Sequence, residues 1–319
     1  MTLVLGGLVA NTVFHASDRL TTITPTPKNP DNAWDIHANK TVIVCGSDCW
    51  LVIGYTGLAY LDDKPTDAFM ASVLAGGDEL NGMGMWFPGR PLHYREITSS
   101  IETAIHDAYS RLPVGARDYR TIVSGVGVQS RKPRARHVAF RAVITRHGTS
   151  HFELADRHQR QMRFHTEAIG SYDLQILDRM RARLRAEGDE SPERFRDIMM
   201  DAVAETGRKS DVVGEDVMGV ILQPFARRIR VHFRSADQIS QAELAVQVGS
   251  YGDETAEIPN VSTPYILAPG QFFSPAVATG GWHLSPRDIE IELTGFDREP
   301  ETGPMRAFWG AHPRRAQPK

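Results

Sequence analysis

The stretch that decides the fold prediction is Met1-Thr-Leu-Val-Leu-Gly-Gly-Leu-Val-Ala-Asn-Thr-Val-Phe-His-Ala-Ser-Asp-Arg19. It holds two apolar runs on either side of Gly6-Gly7 and ends in the polar cluster Ser17-Asp18-Arg19. Short apolar runs broken by glycines predict two strands separated at Gly6-Gly7. Thr2 adds a candidate nucleophile, because removal of Met1 would place a hydroxyl and a free α-amine on one residue. With a pKa of roughly 7.7–8.0, that amine could accept the hydroxyl proton.

Composition places the chain among ordinary globular proteins. The 319 residues are 41% hydrophobic and 24% charged, with a formal net charge of −3. This balance gives no indication of a nucleic-acid partner. No apolar run is long enough for a transmembrane helix, and the N-terminus lacks a basic leader, so we expect a cytoplasmic protein without a membrane segment. The two cysteines, Cys45 and Cys49, imply neither a disulfide framework nor a metal site.

The order of predicted elements indicates an α+β fold. Apolar periodicity predicts helices from near Thr66, over 94–112, around 174–184 and from Ser191-Pro192 to near Gly207. Strands are predicted at 40–44, 50–53, 119–129, 137–146, 150–154, 217–222 and 229–233, with further elements at 242–248 and 289–293. Groups of strands separated by pairs of helices, rather than strict β-α-β alternation, favour α+β layers.

Several short motifs, taken in order, carry a resemblance to a known family. Phe14-His-Ala-Ser-Asp-Arg19 is similar to an Ala-x-Asp-x-Arg stretch, and Asp18 follows Thr2 by sixteen residues. The other motifs are Asn39-Lys40, Val52-Ile-Gly54-Tyr-Thr-Gly57, Ala168-Ile-Gly170-Ser171 and Asp211-Val-Val-Gly214-Glu-Asp216. Over residues 2–225 this set resembles the proteasome β-subunit and the bacterial HslV-type peptidase, within the N-terminal-nucleophile hydrolases. At one position where that family carries serine, this chain has Gly214.

The resemblance implies a fold and an activity. The fold would be a four-layer αββα sandwich of two antiparallel sheets over residues 1–234, with a C-terminal extension of unknown role at 235–319. The activity would be threonine-dependent hydrolysis of peptide or amide bonds after removal of Met1, without a cofactor or a metal. By the same resemblance, the chain would form a homo-oligomer, in the form of a ring, and could work with an ATPase partner.

The resemblance also assigns residues to roles. Thr2 would be the nucleophile and, through its α-amine, the general base. Lys40 would stabilise the alkoxide, Asp18 would orient Lys40, and the Gly57 N–H would form the oxyanion hole. Ser171 and Asp211 would bind the terminal amine and its neighbours. A further set would line the specificity pocket, namely Thr21, Tyr55 and Ala59.

Other interpretations of the same residues stay open at this point. Lys40 could be a surface lysine before a strand, Asp18 a strand-end cap and Gly57 an ordinary turn glycine. The chain could then be a catalytically silent structural or interaction subunit, which the missing serine at Gly214 favours. A small-molecule amidase that uses the same chemistry is a third interpretation.

Overall fold

The structure is a computed structural model, and it describes residues 2–22, 33–35, 38–76, 92–112, 119–131, 134–153, 164–170, 175–186, 191–236, 264–268, 271–273, 282–285 and 288–294. Its strands are β1 (Leu3–Val9), β2 (Thr12–Asp18), β3 (Thr21–Thr22), β4 (Ala33–Asp35), β5 (Thr41–Cys45), β6 (Cys49–Thr56), β7 (Tyr60–Leu61), β8 (Lys64–Pro65), β9 (Arg120–Arg131), β10 (Arg134–Thr145), β11 (Gly148–Glu153), β12 (Phe164–Gly170), β13 (Val217–Gln223), β14 (Arg228–Arg234), β15 (Tyr265–Ala268), β16 (Gln271–Phe273), β17 (Trp282–Ser285) and β18 (Asp288–Thr294). The helices are α1 (Thr66–Ala75), α2 (Tyr94–Arg111), α3 (Ile176–Ala186) and α4 (Pro192–Gly207).

The four helices lie where the apolar periodicity predicts them, and local chemistry explains their ends. Before α4, the Ser191 hydroxyl accepts a hydrogen bond from the Arg194 N–H at 3.3 Å, and proline occupies the first turn. Both features satisfy or remove N–H groups that have no partner within the helix. Helix α1 ends at Gly76, whose φ of 82° suits glycine. The helix predictions are therefore confirmed.

Most strands belong to two seven-stranded sheets. The first sheet has the order β12-β1-β2-β13-β14-β18-β17, and the second has the order β11-β10-β9-β6-β5-β15-β16. Within these sheets β15 pairs in parallel with β5, and the other pairings are antiparallel. Within the described residues, the architecture is thus a mixed α+β fold with two large sheets and four α-helices.

Three apolar clusters fill the space between these elements. One cluster joins α1 and α2 to the second sheet, for example through Met70, Ile101 and Ile53. Another contains residues of both sheets, for example Val13, Ile43 and Val220. A third joins α3 and α4 to the first sheet, for example through Met180, Met199 and Leu5. Burial of these side chains is the main favourable contribution to folding.

The prediction of a break at Gly6-Gly7 is wrong. Strand β1 runs without interruption through both glycines, and the turn to β2 lies at Ala10-Asn11. A Cβ at Gly6 would lie 3.0 Å from Val126 Cγ1 of the facing sheet, whereas one at Gly7 would meet Met199 Sδ of α4 at 3.4 Å. Gly6 therefore allows the sheets to approach closely, a known use of glycine inside a strand.

The segment predicted as a C-terminal extension contributes strands to both sheets. β15 lies beside β5 in the second sheet, and β18 lies beside β14 in the first. Sequence periodicity indicated β18, but it missed β15, β16 and β17. The predicted element at 242–248 lies outside the described residues. The division into 1–234 and 235–319 stays a prediction.

Candidate active site

The Thr2 hydroxyl contacts both a carboxylate and an ammonium group. It donates a hydrogen bond to Asp18 Oδ1 at 2.6 Å. Lys40 Nζ donates to Thr2 Oγ1 and also, at 2.8 Å, to Asp18 Oδ2. The three side chains therefore form a closed set of polar contacts, although Lys40 lies 38 residues from Thr2 in sequence.

Strand ends from both sheets bring these residues together. Thr2 immediately precedes β1, and Asp18 is the last residue of β2. Because β1 and β2 are antiparallel neighbours, with Val4 opposite Ser17, the start of one strand lies beside the end of the other. Lys40 immediately precedes β5 in the second sheet. Its contact with Thr2 therefore depends on how the two sheets meet, and local sequence alone does not determine it.

Backbone N–H groups surround the Asp18 carboxylate, which is fully buried. The Leu3 N–H donates to Oδ1 at 2.9 Å, while the N–H groups of Leu20 and Gly214 donate to Oδ2 at 3.2 and 3.0 Å. A buried carboxylate is costly unless hydrogen bonds and an opposite charge compensate it. These three N–H groups and Lys40 supply that compensation. Sequence reasoning missed the three backbone donors, since a backbone N–H leaves no signal in residue type.

Lys40 is buried as well, with 4% of the residue exposed, and its ammonium group also donates to the Leu20 carbonyl oxygen. With Asp18 it forms an ion pair in which both side chains are removed from solvent. Charge interactions are stronger away from water than at an exposed surface. The ammonium group is thus positioned to stabilise negative charge that develops on Thr2 Oγ1.

Two glycines of the predicted motifs have positive φ, and one of them, Gly170, lies against Thr2. Gly170, the last residue of β12, has φ of 103°, and a Cβ there would lie under 3.0 Å from the Thr2 carbonyl oxygen. Gly57 follows β6, has φ of 125°, and would bring a Cβ under 3.0 Å from the Arg120 carbonyl oxygen. Both positions therefore require glycine. The Ala168-Ile-Gly170-Ser171 motif contained the signal for Gly170, but sequence reasoning gave that residue no role.

The structure gives less information about two other predicted site residues, Ser171 and Asp211. Ser171 lies outside the described residues, immediately after Gly170. Asp211 is described and exposed, in the turn that precedes β13. The same turn contains Gly214, which contacts Asp18. The proposed roles of Ser171, Asp211 and the Gly57 N–H stay predictions.

Two of the three predicted specificity residues, Thr21 and Tyr55, lie near the chain segments that hold Lys40. Thr21 is buried in β3, directly after Leu20. The phenol of Tyr55 donates to the Asn39 carbonyl oxygen at 3.4 Å. Burial, with a contribution from the charge of Asp67, raises the pKa of Tyr55 well above its ordinary value, so this side chain is neutral. Ala59 is partly buried, and its carbonyl oxygen accepts the Thr66 N–H at the start of α1.

His15 is a buried neutral histidine beside the candidate site. His15 lies on β2 and is only 1% exposed. Its Nε2 lies 2.6 Å from the hydroxyl of Thr41, the residue after Lys40. Burial lowers the pKa of His15 to about 3, because a charged imidazolium would lose its hydration. His15 therefore stays uncharged near neutral pH.

The described residues give no indication of a metal centre. Across these ranges no group of three or more His, Cys, Asp or Glu side chains is arranged to hold a metal ion. Cys45 and Cys49 are both free and buried, and burial raises the pKa of each thiol. Among the helices that the structure describes, none is long and apolar enough to cross a membrane.

Comparisons with known proteins find similarity only among solved structures. No model of a protein family matches the chain, and no curated protein sequence matches it. The similar structures include a Gly-1 mutant of Anbu from Hyphomicrobium sp. strain MC1, with 18% identity and a TM-score of 0.43. Anbu (ancestral beta-subunit) from Yersinia bercovieri has 15% identity and a TM-score of 0.44. Anbu from Hyphomicrobium sp. strain MC1 has 16% identity and a TM-score of 0.41. Each alignment covers 70% of this chain and 82% of the other.

These comparisons correct the family assignment made from the motifs. The motifs predicted a member of the proteasome β-subunit and HslV-type branch, and that prediction is wrong, because the similar solved structures are Anbu proteins. At 15–18% identity and these TM-scores, the similarity carries no functional assignment. A function can therefore be inferred only from the residues of this chain.

Proposed function

We propose that the chain is a threonine-dependent hydrolase of peptide or amide bonds, with Thr2 as its nucleophile after removal of Met1. The observation that carries the proposal is the contact of one hydroxyl oxygen, Thr2 Oγ1, with both Lys40 Nζ and Asp18 Oδ1. The buried Lys40 ammonium group beside a threonine hydroxyl favours formation of an alkoxide there, and Asp18 holds that ammonium group in position.

The first half of the reaction forms an ester. The free α-amine of Thr2 takes the hydroxyl proton, directly or through water, as Oγ1 attacks the carbonyl carbon of the substrate. Lys40 offsets the charge that develops on Oγ1, and the Gly57 N–H donates to the oxyanion of the tetrahedral intermediate. The C–N bond then breaks, the leaving amine takes the proton back from the α-ammonium group, and an acyl ester remains on Thr2.

The second half returns the enzyme to its starting state. A water molecule gives a proton to the α-amine as its oxygen attacks the ester carbonyl. Collapse of the second tetrahedral intermediate breaks the C–Oγ1 bond, and the α-ammonium group returns the proton to Oγ1. Ser171 and Asp211 would hold the amine in position, while Thr21, Tyr55 and Ala59 would select the acyl side chain.

The proposal extends to architecture and assembly. The three apolar clusters support a four-layer order of helices, sheet, sheet and helices. We assign residues 1–234 to the hydrolase domain and 235–319 to an extension whose strands add to its sheets. A homo-oligomer, in the form of a ring, and an ATPase partner are parts of the proposal that light scattering and co-purification would test.

Two alternatives remain. A catalytically silent structural or interaction subunit is favoured by Gly214, which supplies no hydroxyl near the nucleophile. A small-molecule amidase would use the same residues on a shorter substrate. Comparison of peptide and small-amide turnover separates this amidase from a peptidase.

The experiment begins with the intact mass and N-terminal residue of the purified protein. We expect loss of Met1 and, with a threonine-directed epoxyketone or β-lactone, a mass increase located on Thr2. Thr2→Ala should abolish labelling and turnover while circular dichroism stays unchanged. The matched control is Thr12→Ala, at the start of β2 and away from Lys40, which should label like the wild type. An unprocessed, unlabelled wild-type chain, or a Thr2→Ala variant that keeps its activity, contradicts the proposal.

A further inference from the structure

The turn between α4 and β13 holds the Asp18 carboxylate through a backbone group. The Gly214 N–H donates to Asp18 Oδ2 at 3.0 Å, across 196 residues of sequence. Hydrogen bonds from a backbone N–H to a charged carboxylate are stronger than those between neutral groups. This contact therefore fixes the oxygen that also receives Lys40 Nζ.

Leu20 leaves no room for a side chain at position 214. A Cβ on Gly214 would lie 2.7 Å from Leu20 Cβ and 3.1 Å from Leu20 N, so that one of the two residues would have to move. The backbone of Leu20 contacts both members of the buried ion pair. Its N–H donates to Asp18 Oδ2, and its carbonyl oxygen accepts from Lys40 Nζ. Displacement of Leu20 would thus disturb Asp18 and Lys40 together.

The end of α4 prevents the turn from moving away. A Cβ at Gly207, the last residue of α4, would lie under 3.0 Å from the carbonyl group of Gly214. The Gly214 peptide is therefore confined between Leu20 on one side and the helix end on the other. Leu20 and Gly214 are partly buried and Gly207 is buried, and forcing an extra carbon atom between close-packed backbone segments costs free energy.

From this geometry we infer that Gly214 is a positioning residue. Its N–H orients Asp18, and through Asp18 it directs Lys40 toward Thr2 Oγ1. Glycine is required because Leu20 and Gly207 confine the peptide. The position supplies a backbone donor to the carboxylate, and it carries no side-chain hydroxyl. The catalytic part of this inference rests on the proposed function, whereas the hydrogen bond and its confinement do not.

The structural part is tested by hydrogen exchange of the Gly214 amide, followed by NMR in the full chain. We expect slow exchange in the wild type and exchange about 10- to 100-fold faster in Asp18→Asn, which removes the charged acceptor. The control is Gly7→Ala, whose Cβ would meet its nearest neighbour at an ordinary 3.4 Å. It should leave the exchange of Gly214 unchanged. Fast exchange of Gly214 in the folded wild type would overturn the inference.

The catalytic part is tested by the pH profile of Thr2 labelling with a β-lactone. Gly214→Ala should slow labelling about 10- to 100-fold and alter its pH profile, whereas a merely structural glycine would change only stability. Leu20→Gly removes the clashing Cβ, so Leu20→Gly/Gly214→Ala should label faster than Gly214→Ala alone. Labelling of Gly214→Ala at the wild-type rate, or a double variant no faster than Gly214→Ala, refutes the positioning role. A wild-type chain that shows slow Gly214 exchange but no labelling refutes the proposed function instead.

Discussion

Replacement of Glu290 by glutamine tests how much the C-terminal strands contribute to the stability of the fold. Glu290 lies on β18, within the predicted extension, and its side chain is only 10% exposed. Arg196 of α4 donates to Oε2 at 2.6 Å, and Arg230 of β14 donates to Oε1 through Nε at 2.8 Å. His232 lies 3.4 Å from Oε2. The carboxylate thus joins α4, β14 and β18.

The expected loss follows from the pKa of Glu290. Burial by itself would raise this pKa, but hydrogen bonds from His232 and Arg230 and the charges of Arg230 and Arg196 lower it to about 2. The difference from an ordinary glutamate, near 4.3, corresponds to about 3 kcal/mol at neutral pH. Since the folded pKa is depressed, this stabilisation is complete above about pH 4.3 and is lost as the pH falls toward 2. Glu290→Gln should therefore lower the free energy of unfolding by about 3 kcal/mol at pH 7.

Urea denaturation at pH 7 and pH 3 measures the effect, which should be smaller at pH 3. The matched control is Glu292→Gln on the same strand, where Glu292 pairs with Arg228 at 2.9 Å and more distantly with Arg230 at 3.8 Å, and its side chain is more exposed, at 18%. This variant should lose less than about 1 kcal/mol. Equal losses in both variants, or a Glu290→Gln variant as stable as the wild type, would refute the reasoning. That result would favour a separable C-terminal extension.

Two further substitutions test the glycine turn and the buried histidine. Gly57→Ala should lower the free energy of unfolding by more than about 2 kcal/mol, because a Cβ there would meet the Arg120 carbonyl group. Gly76→Ala, with positive φ but no atom within 4 Å of its Cβ, should lower it by about 1 kcal/mol. Equal losses in urea denaturation would contradict this prediction. His15 resists protonation in the folded state but not in the unfolded chain, so wild-type stability falls as the pH drops below about 6.5. His15→Asn should reduce the loss of unfolding free energy between pH 7 and pH 5 by about 2 kcal/mol. An unchanged pH dependence of thermal unfolding in this variant would contradict a buried, neutral His15.

Much of the fold could be predicted from local patterns. Helices α1 to α4 lie where the apolar periodicity and the Ser191-Pro192 cap indicate them, since these signals act within a few turns. The predicted break at Gly6-Gly7 failed, because the reason for Gly6 is a contact with Val126 in the facing sheet. Strand β15 was missed for a similar reason. Its parallel pairing with β5 joins segments more than 200 residues apart, and no local turn signals it.

The candidate site, too, could be predicted from the sequence only in part. The family resemblance of the motifs selected Thr2, Asp18 and Lys40, and the structure brings these three side chains into contact. Spacing could not show the backbone donors at Leu20 and Gly214, because every residue except proline carries an N–H group and only its direction matters. Residue type at Gly214 suggested the loss of a hydroxyl. The structure shows a hydrogen-bond donor there as well.

The sequence by itself determined the helices, most strands and the residue types that can perform nucleophilic chemistry. These follow from side-chain periodicity and from the functional groups themselves. Only the tertiary structure decided which strand ends meet, how completely the Asp18–Lys40 pair is buried and why position 214 excludes a side chain. Those properties depend on contacts between distant segments, and their physical basis is the packing of two sheets against each other and against α4.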